Sequence, residues 1–536
     1  MSDAVRNYSG SGGVRRKTRR QRLGALRNLL LLFLLPLAAY LWWTTRDAWD
    51  MAQLIPGRQT YQLYANDFLN NRGTIAQSRV WQLLPEETAL AQARVSMLDN
   101  FGLPEWVLNN VVHGLSHVSG NDLDDFSDVL FITKMTRVGV LLERLHRFIP
   151  EIRREHAGGL KLRQVEDAGV WYAVRGRVLL ITPDRDTLIR SLTLKGDDTV
   201  GSAALAAGRD ALRAGEDIFG RIDLREGDPW SDTLEALEIK VWVEEDALRV
   251  ACQGALSPSW REWLLPVLVD ASPQPLHAPP SGIVELSANF GKPLPRLWDG
   301  LQAVLDLDAP LPPPGDWLRG IQPDDGPDTA GLLGELMLHT GNGWRLSWTG
   351  VDELAFAPMP AFAASIDVDP AAAEERLTLA AEFGEGLGLA TDAETGLLHM
   401  PLIGGPALEP AVALRGTQLL LGTSREAARS LVQQPPPRAT LTEAGTLFAR
   451  IRPAPLIEAA ASAGHELAVI GALRGHTADS WASTTDIWAE TAQRIRDITA
   501  LVAHENGIIR FEMNLFMAAA QEAEAPGPEA VAQEPQ

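Results

Sequence analysis

The chain has 536 residues, 46% of them apolar and 22% charged, with a net charge of −21 and a single cysteine. That length suits two or more domains of roughly 100–200 residues each. One cysteine excludes an intramolecular disulfide and any zinc site built from several thiolates, and Cys252, inside VWVEEDALRVACQGAL, reads as a small apolar residue of a strand.

Charge is spread unevenly along the chain. Residues 1–27 hold eight Arg or Lys and one acid, Asp3, and form a basic head, whereas residues 28–536 carry a net −28. Nucleic-acid affinity comes mainly from cations that neutralise phosphates, so the acidic body argues against DNA or RNA as a partner. The run NLLLLFLLPLAAYLWW, 28–43, follows, and Thr44 and Thr45 extend it. A membrane span takes about 20 residues. No small-x-small cleavage site follows the run, and Tyr40, Trp42 and Trp43 suit an interfacial belt. The reading is an uncleaved single-pass transmembrane anchor over 28–45, in contact with the lipid bilayer. By the positive-inside rule residues 1–27 are cytoplasmic and the rest is periplasmic, in a bacterial inner membrane.

Residues 46–80 read as a stalk or linker, with RDAWDMAQL helical. Two copies of one domain then follow, over 81–270 and 282–519, joined by the Pro-rich linker 271–281. Four anchors recur in the same order. They are Asn100-Phe101-Gly102-x-Pro104 and Asn289-Phe290-Gly291-x-Pro293; Arg175-Gly176 and Arg415-Gly416; Phe219-x-Arg221-Ile222 and Phe448-x-Arg450-Ile451; and Glu244 with Arg249 against Glu505 with Arg510. In each copy Arg-Gly reads as a tight hairpin, because glycine tolerates the backbone a two-residue turn requires. Asp184 or Ser424 then N-caps a helix. Strands linked by hairpins and mixed with a few helices indicate an α+β fold with a mostly antiparallel sheet. Residues 520–536 are acidic and rich in Pro and Ala, the composition of a disordered tail.

The stretch HGLSHVSGNDLDDFSD, 113–128, is the most chemically loaded. His113 and His117 stand four apart, as two imidazoles on one helix face would, and Asp122 and Asp124 follow. This set is the candidate metal site. Gly114 stands where a zinc protease places its glutamate, and the acids break the calcium-loop pattern. The competing reading is a helix end followed by a solvated acidic loop. HELAV, 465–469, lacks the second histidine of a zinc motif, and no nucleophile elbow, Walker loop or dinucleotide fingerprint occurs. No cofactor is expected. The 16 tryptophans against five tyrosines read either as core packing or as an apolar groove for a lipid or partner.

In its anchored tandem plan, with strand–Arg-Gly–strand–helix in each half, the chain resembles uncharacterised single-span envelope proteins of proteobacteria. The resemblance implies an extracytoplasmic α+β domain and no activity. The leading expectation is a membrane-anchored, non-enzymatic periplasmic interaction or scaffold protein whose partner is an envelope protein or lipid. A binding module for lipid or another apolar ligand is the second reading, and a metal-assisted hydrolase using 113–128 is the third.

Overall fold

The computed structural model describes residues 34–66, 75–83, 104–121, 127–145, 152–166, 169–213, 217–224, 234–258, 275–277, 282–289, 339–353, 358–382, 388–401, 405–433, 440–505 and 507–519. The first half of the chain supplies β1 (Tyr61–Asn66), β2 (His113–Gly120), β3 (Leu130–Lys134), β4 (Ile152–Ala157), β5 (Leu160–Val165), β6 (Val170–Arg175), β7 (Val178–Thr182), β8 (Ile218–Asp223), β9 (Leu234–Val243) and β10 (Ala247–Leu256). The second supplies β11 (Pro275–His277), β12 (Val284–Asn289), β13 (Thr340–Glu353), β14 (Pro358–Val368), β15 (Ala390–Thr391), β16 (Leu398–His399), β17 (Ala411–Arg415), β18 (Gln418–Gly422), β19 (Thr440–Ala444), β20 (Leu447–Ile451), β21 (Ile495–Glu505) and β22 (Ile508–Met517). Beside the helical residues 34–44, the described helices include α1 (Glu105–Val111), α2 (Arg137–Arg144), α3 (Arg185–Thr193), α4 (Gly201–Arg213), α5 (Pro370–Glu382), α6 (Arg425–Gln433), α7 (Pro453–Val469) and α8 (Ala478–Gln493).

Among the described residues twenty strands form one antiparallel sheet, and β11 with β19 forms a separate two-stranded one. In space the large sheet runs β4-β5-β6-β7-β3-β2-β1-β8-β9-β10-β22-β21-β20-β12-β13-β14-β18-β17-β16-β15. The order on one side of the β10–β22 seam repeats on the other. Register repeats as well. Leu63 faces Gly220 as Leu286 faces Ala449, and Tyr64 faces His117 as Ser287 faces Arg345. At the seam Arg249 faces Asn514 and Gln253 faces Arg510.

The expected α+β plan, an N-terminal transmembrane helix and then two separate tandem sheets, is corrected in two respects. First, there is one sheet. An unpaired outer β10 or β22 would leave a row of N–H and C=O groups open to solvent or to another chain, and each satisfies the other instead. Second, among the described residues no helix is long and apolar enough to cross a membrane. The single-pass inner-membrane anchor over 28–45, and the localisation built on it, are replaced by that finding. Residues 34–44 are helical, and residues 28–33 lie outside the described residues. The helix stops where the Thr45 hydroxyl turns back to the Leu41 carbonyl, 2.7 Å away, and Arg144 of α2 donates to the Thr44 carbonyl at 3.1 Å. Trp43 and Trp42 lie under the chain's own Arg46 and Arg137 guanidinium groups, at 4.0 and 5.8 Å from the ring centroids.

Within 46–80, read as stalk or linker, Met51, Leu54 and Ile55 are buried and β1 stands between β2 and β8. Those three side chains join Leu130, Ile132, Leu162, Leu180, Leu188 and Leu205 in the largest core cluster, on the α3/α4 face of the first half. On the opposite face α2 packs through Val140 onto Met135 and Leu179. In the second half α6 covers one face with Ala427, Ala428 and Leu431, and α5 covers the other with Ala373 and Ala380.

The Arg-Gly turns explain how each hairpin–helix unit forms. Gly176 and Gly416 have φ of 63° and 62°, a region glycine enters without Cβ strain. In each half the preceding arginine reaches the end of the next helix: Arg175 donates to the Leu192 carbonyl at 2.7 Å and Arg415 to the Leu431 carbonyl at 3.0 Å. A cation there satisfies carbonyls that have no partner within the helix and complements its dipole. The helix starts are equally matched. Asp184 accepts from the Thr187 amide at 2.8 Å, and Ser424 from the Ala427 amide at 3.1 Å.

Candidate functional site: a cleft beneath α5

The sequence-predicted metal residues do not assemble into a site among the described residues. His113 and His117 lie on β2, which starts directly after the C-cap of α1 at Val112, and Gly114 between them has φ of 70° where the register with β3 shifts. His117 is fully buried, its ring 4.7 Å from that of Tyr64, and neither ring nitrogen has a hydrogen-bond partner. Burial alone drives its pKa down to about 3, so the ring is neutral. Asp122 and Asp124 lie outside the described residues, and among those described no three His, Cys, Asp or Glu side chains are placed to hold a metal.

Among the described residues a concavity lies elsewhere, between α5 and the β15–β17 end of the sheet. α5 begins at Pro370, which suits a first helical turn because its missing N–H would have no partner there. Asp369 caps it, accepting from the Ala371 amide at 3.1 Å. Ala373, Leu377, Ala380 and Ala381 recur at helical spacing and turn toward the sheet. Two small residues in that row bring the helix close at Ala373 and Ala380. Beyond them a cleft of about 560 Å³ opens, floored by Leu377, Leu398, Val412 and Leu414. Glu374 and Glu382 sit on its rim.

Its far wall is pinned by one aspartate. Asp392 accepts from the Glu394 and Thr395 amides at 3.0 and 3.3 Å, and from Arg429 at 2.6 Å. The Arg429 hydrogen bond is the main reason the Asp392 carboxyl is held down at about 2. This turn carries Thr391 and Gly396 into the cleft wall. On the other face of β16, His399 Nδ1 and Arg425 Nε lie 3.2 and 3.3 Å from Glu409 Oε2, which ties the edge of the sheet to α6.

No tryptophan lines this cleft, and Trp260, Trp263, Trp298 and Trp317 lie outside the described residues. Trp171 lies beneath Arg185 and Trp242 beneath Arg249, while Trp344 and Trp348 donate to the Gly341 and Gly350 carbonyls of their own strand, at 3.3 and 2.5 Å. The α5 cleft was missed because its floor comes from three separate short segments with ordinary aliphatic residues. The one local signal was the apolar helical row Ala373, Leu377, Ala380 and Ala381.

No family model matches this sequence, and no curated protein does. Among solved structures the chain is similar to TP0453, at 8% identity throughout. Crystal form IV gives a TM-score of 0.24 over 40% of this chain and 83% of that one, and crystal form III gives 0.23 over 44% and 91%. Crystal form I gives 0.25 over 40% and 80%. Likeness of this degree bears on neither fold nor function.

Proposed function

We propose that the protein is a non-enzymatic interaction protein, a scaffold whose second half captures an aliphatic segment of a partner protein in the cleft beneath α5. The observation that carries this is the pairing of an aliphatic floor (Leu377, Leu398, Val412, Leu414) with a carboxylate rim (Glu374, Glu382). Such a site selects aliphatic side chains flanked by Lys or Arg. Each leucine moved from water into the floor contributes about 1.5–3 kcal/mol, so more than one must enter before the cost of association is met. The volume lies within the range of small-molecule sites, roughly 300–1,000 Å³, and this favours a free aliphatic ligand such as a lipid chain as the second reading.

The test is fluorescence anisotropy with a labelled alternating Leu-Lys peptide, a Leu-Glu control, and a fatty acid as competitor. Saturable binding of the Leu-Lys peptide is expected, with loss in Ala381→Trp, which fills the cleft. Glu374→Gln combined with Glu382→Gln should weaken it several-fold and flatten its salt dependence. Binding that is absent, or unchanged in Ala381→Trp, sinks the proposal. Saturable fatty-acid binding that Ala381→Trp abolishes, without peptide binding, establishes the second reading.

A further inference from the structure

The sheet's repeated register supplies an internal control for the α5 cleft. Arg163 faces Tyr172 as Leu398 faces Val412, and α2 follows β3 as α5 follows β14. The place of Leu377 and Leu398 in the second half is therefore held by Arg144 and Arg163 in the first. A concavity is present there too, about 280 Å³, lined by Arg144, Arg154, His156, Lys161 and Arg163, with Glu155 and Leu162. The same fold builds an aliphatic cleft at one end and a cationic one at the other, so the cations are not a requirement of the fold.

Their arrangement works against the local structure. On the β4–β5 hairpin the guanidinium-bearing Arg154 stands directly opposite Arg163. Like charges in that relation destabilise a sheet. The nearby carboxylates are already engaged. Glu143 is 3.0 Å from Arg163, and Glu155 accepts from Arg185 at 2.5 and 3.0 Å. Arg144 donates to Thr44. Arg154 and Lys161 have no ion pair among the described residues. Among the described residues β4 is also the outer strand of the sheet, so the cations are reachable from its edge. All of this stands in a chain with a net charge of −21.

We infer that this concavity is an oxyanion site that takes a phosphate group, with Arg154 and Lys161 as its principal cations and Arg163, positioned by Glu143 and lying 5.5 Å from the Tyr172 ring centroid, as its back wall. The phosphate is either a free ion or a lipid headgroup, and both present the same chemistry. This site is independent of the α5 cleft.

The test uses the full chain. Thermal stability is measured against inorganic phosphate at fixed ionic strength set with chloride, and co-flotation is measured with phosphatidylcholine vesicles with and without phosphatidate. Wild type is expected to show saturable phosphate-dependent stabilisation, phosphatidate-dependent flotation, or both. Arg154→Gln combined with Lys161→Gln should weaken the response at least tenfold. Because it removes opposed like charges, the same variant should melt no lower than wild type without phosphate, which separates a lost ligand from a damaged fold. A response to phosphate identifies the free ion as sufficient, and a response to phosphatidate vesicles alone identifies the headgroup. No response to either, or a response the double variant retains, overturns the inference. Ala381→Trp should leave both readouts unchanged, so failure here and failure at the α5 cleft remain distinguishable.

Discussion

Arg249 and Arg510 hold the same position in the two halves and converge on a single carboxylate. Arg249 Nη2 is 3.3 Å from Glu512 Oε1, and Arg510 Nη2 is 3.0 Å from Glu512 Oε2. Glu512 is buried and stands across the seam from Ala251. One acid thus fastens both halves at the centre of the sheet, and Arg249 adds a bond to Asn514 at 3.1 Å.

Glu512→Gln should therefore loosen the seam. Both arginines are partly exposed and regain water, which limits the cost to about 1–3 kcal/mol. A lowered urea midpoint is expected. In double-mutant cycles, Glu512→Gln should be non-additive with both Arg249→Ala and Arg510→Ala. Strict additivity in both cycles would show that the shared carboxylate does not couple the halves.

His117 and Arg345 are likewise equivalent in register but differ in partners. Arg345 is buried with Asp367 Oδ1 3.2 Å from its guanidinium and Ser365 Oγ at 3.4 Å from Nη1, while His117 has no acceptor or donor. Folded His117 takes its proton only near pH 3, against an ordinary value of 6.5. Between those values the unfolded chain binds more protons, so stability is lost as pH falls through that window, by up to about 1.4 kcal/mol per pH unit. His117→Leu should remove that share of the slope and add about 1–3 kcal/mol at pH 7 by eliminating two unpaired buried nitrogens. The check is the difference between wild-type and variant unfolding free energies from pH 7 to 4. A difference that does not grow as pH falls would refute it.

The hairpin pair shows which parts of the fold were legible in the sequence. Arg175-Gly176 and Arg415-Gly416, with caps at Asp184 and Ser424, are local signals, each complete within about fifteen residues. The seam is not local. β10 reads as one arm of an ordinary hairpin with β9, and although Arg249 marks it as the counterpart of β22, nothing in its residues shows that the two strands pair. The i, i+4 spacing of His113 and His117 suggested a helix, yet an even spacing also fits one face of a strand. The recurrence of Phe-Gly-x-Pro matched Asn100 to Asn289, whereas the strand register sets Asn66 at the place of Asn289. A net acidic body masked the run Arg153–Arg163, because averaging charge over the chain hides a local cationic cluster.

The two Arg-Gly turns also make a graded prediction. A Cβ on Gly416 meets nothing within 4 Å, whereas one on Gly176 comes to 3.2 Å from Trp49 Cδ1. Gly416→Ala should cost only the left-handed backbone strain, about 1–2 kcal/mol. Gly176→Ala should cost that and the displacement of Trp49, which lies 4.2 Å from Arg175 in a cation–π contact. Melting each variant tests the order, and an equal loss in both would show that Trp49 yields freely.

Asp392 links the sheet edge to the function proposed for the α5 cleft. The two backbone amides that donate to it and the Arg429 bond hold the turn that carries Thr391 and Gly396. Arg429→Ala removes the strongest of these restraints without touching the floor. Faster hydrogen exchange over 390–399 and weaker capture of the Leu-Lys peptide are expected together, while exchange over β6 and β7 stays unchanged. The acid dependence follows from the same bond. A carboxyl held down at about 2 instead of its usual 3.8 keeps its charge through mild acid. Its stabilising share is present above pH 3.8 and disappears only as pH falls through about 2. Wild-type protection of the turn, corrected for intrinsic exchange, should thus hold between pH 7 and 5, and a collapse within that range would show that another group restrains it.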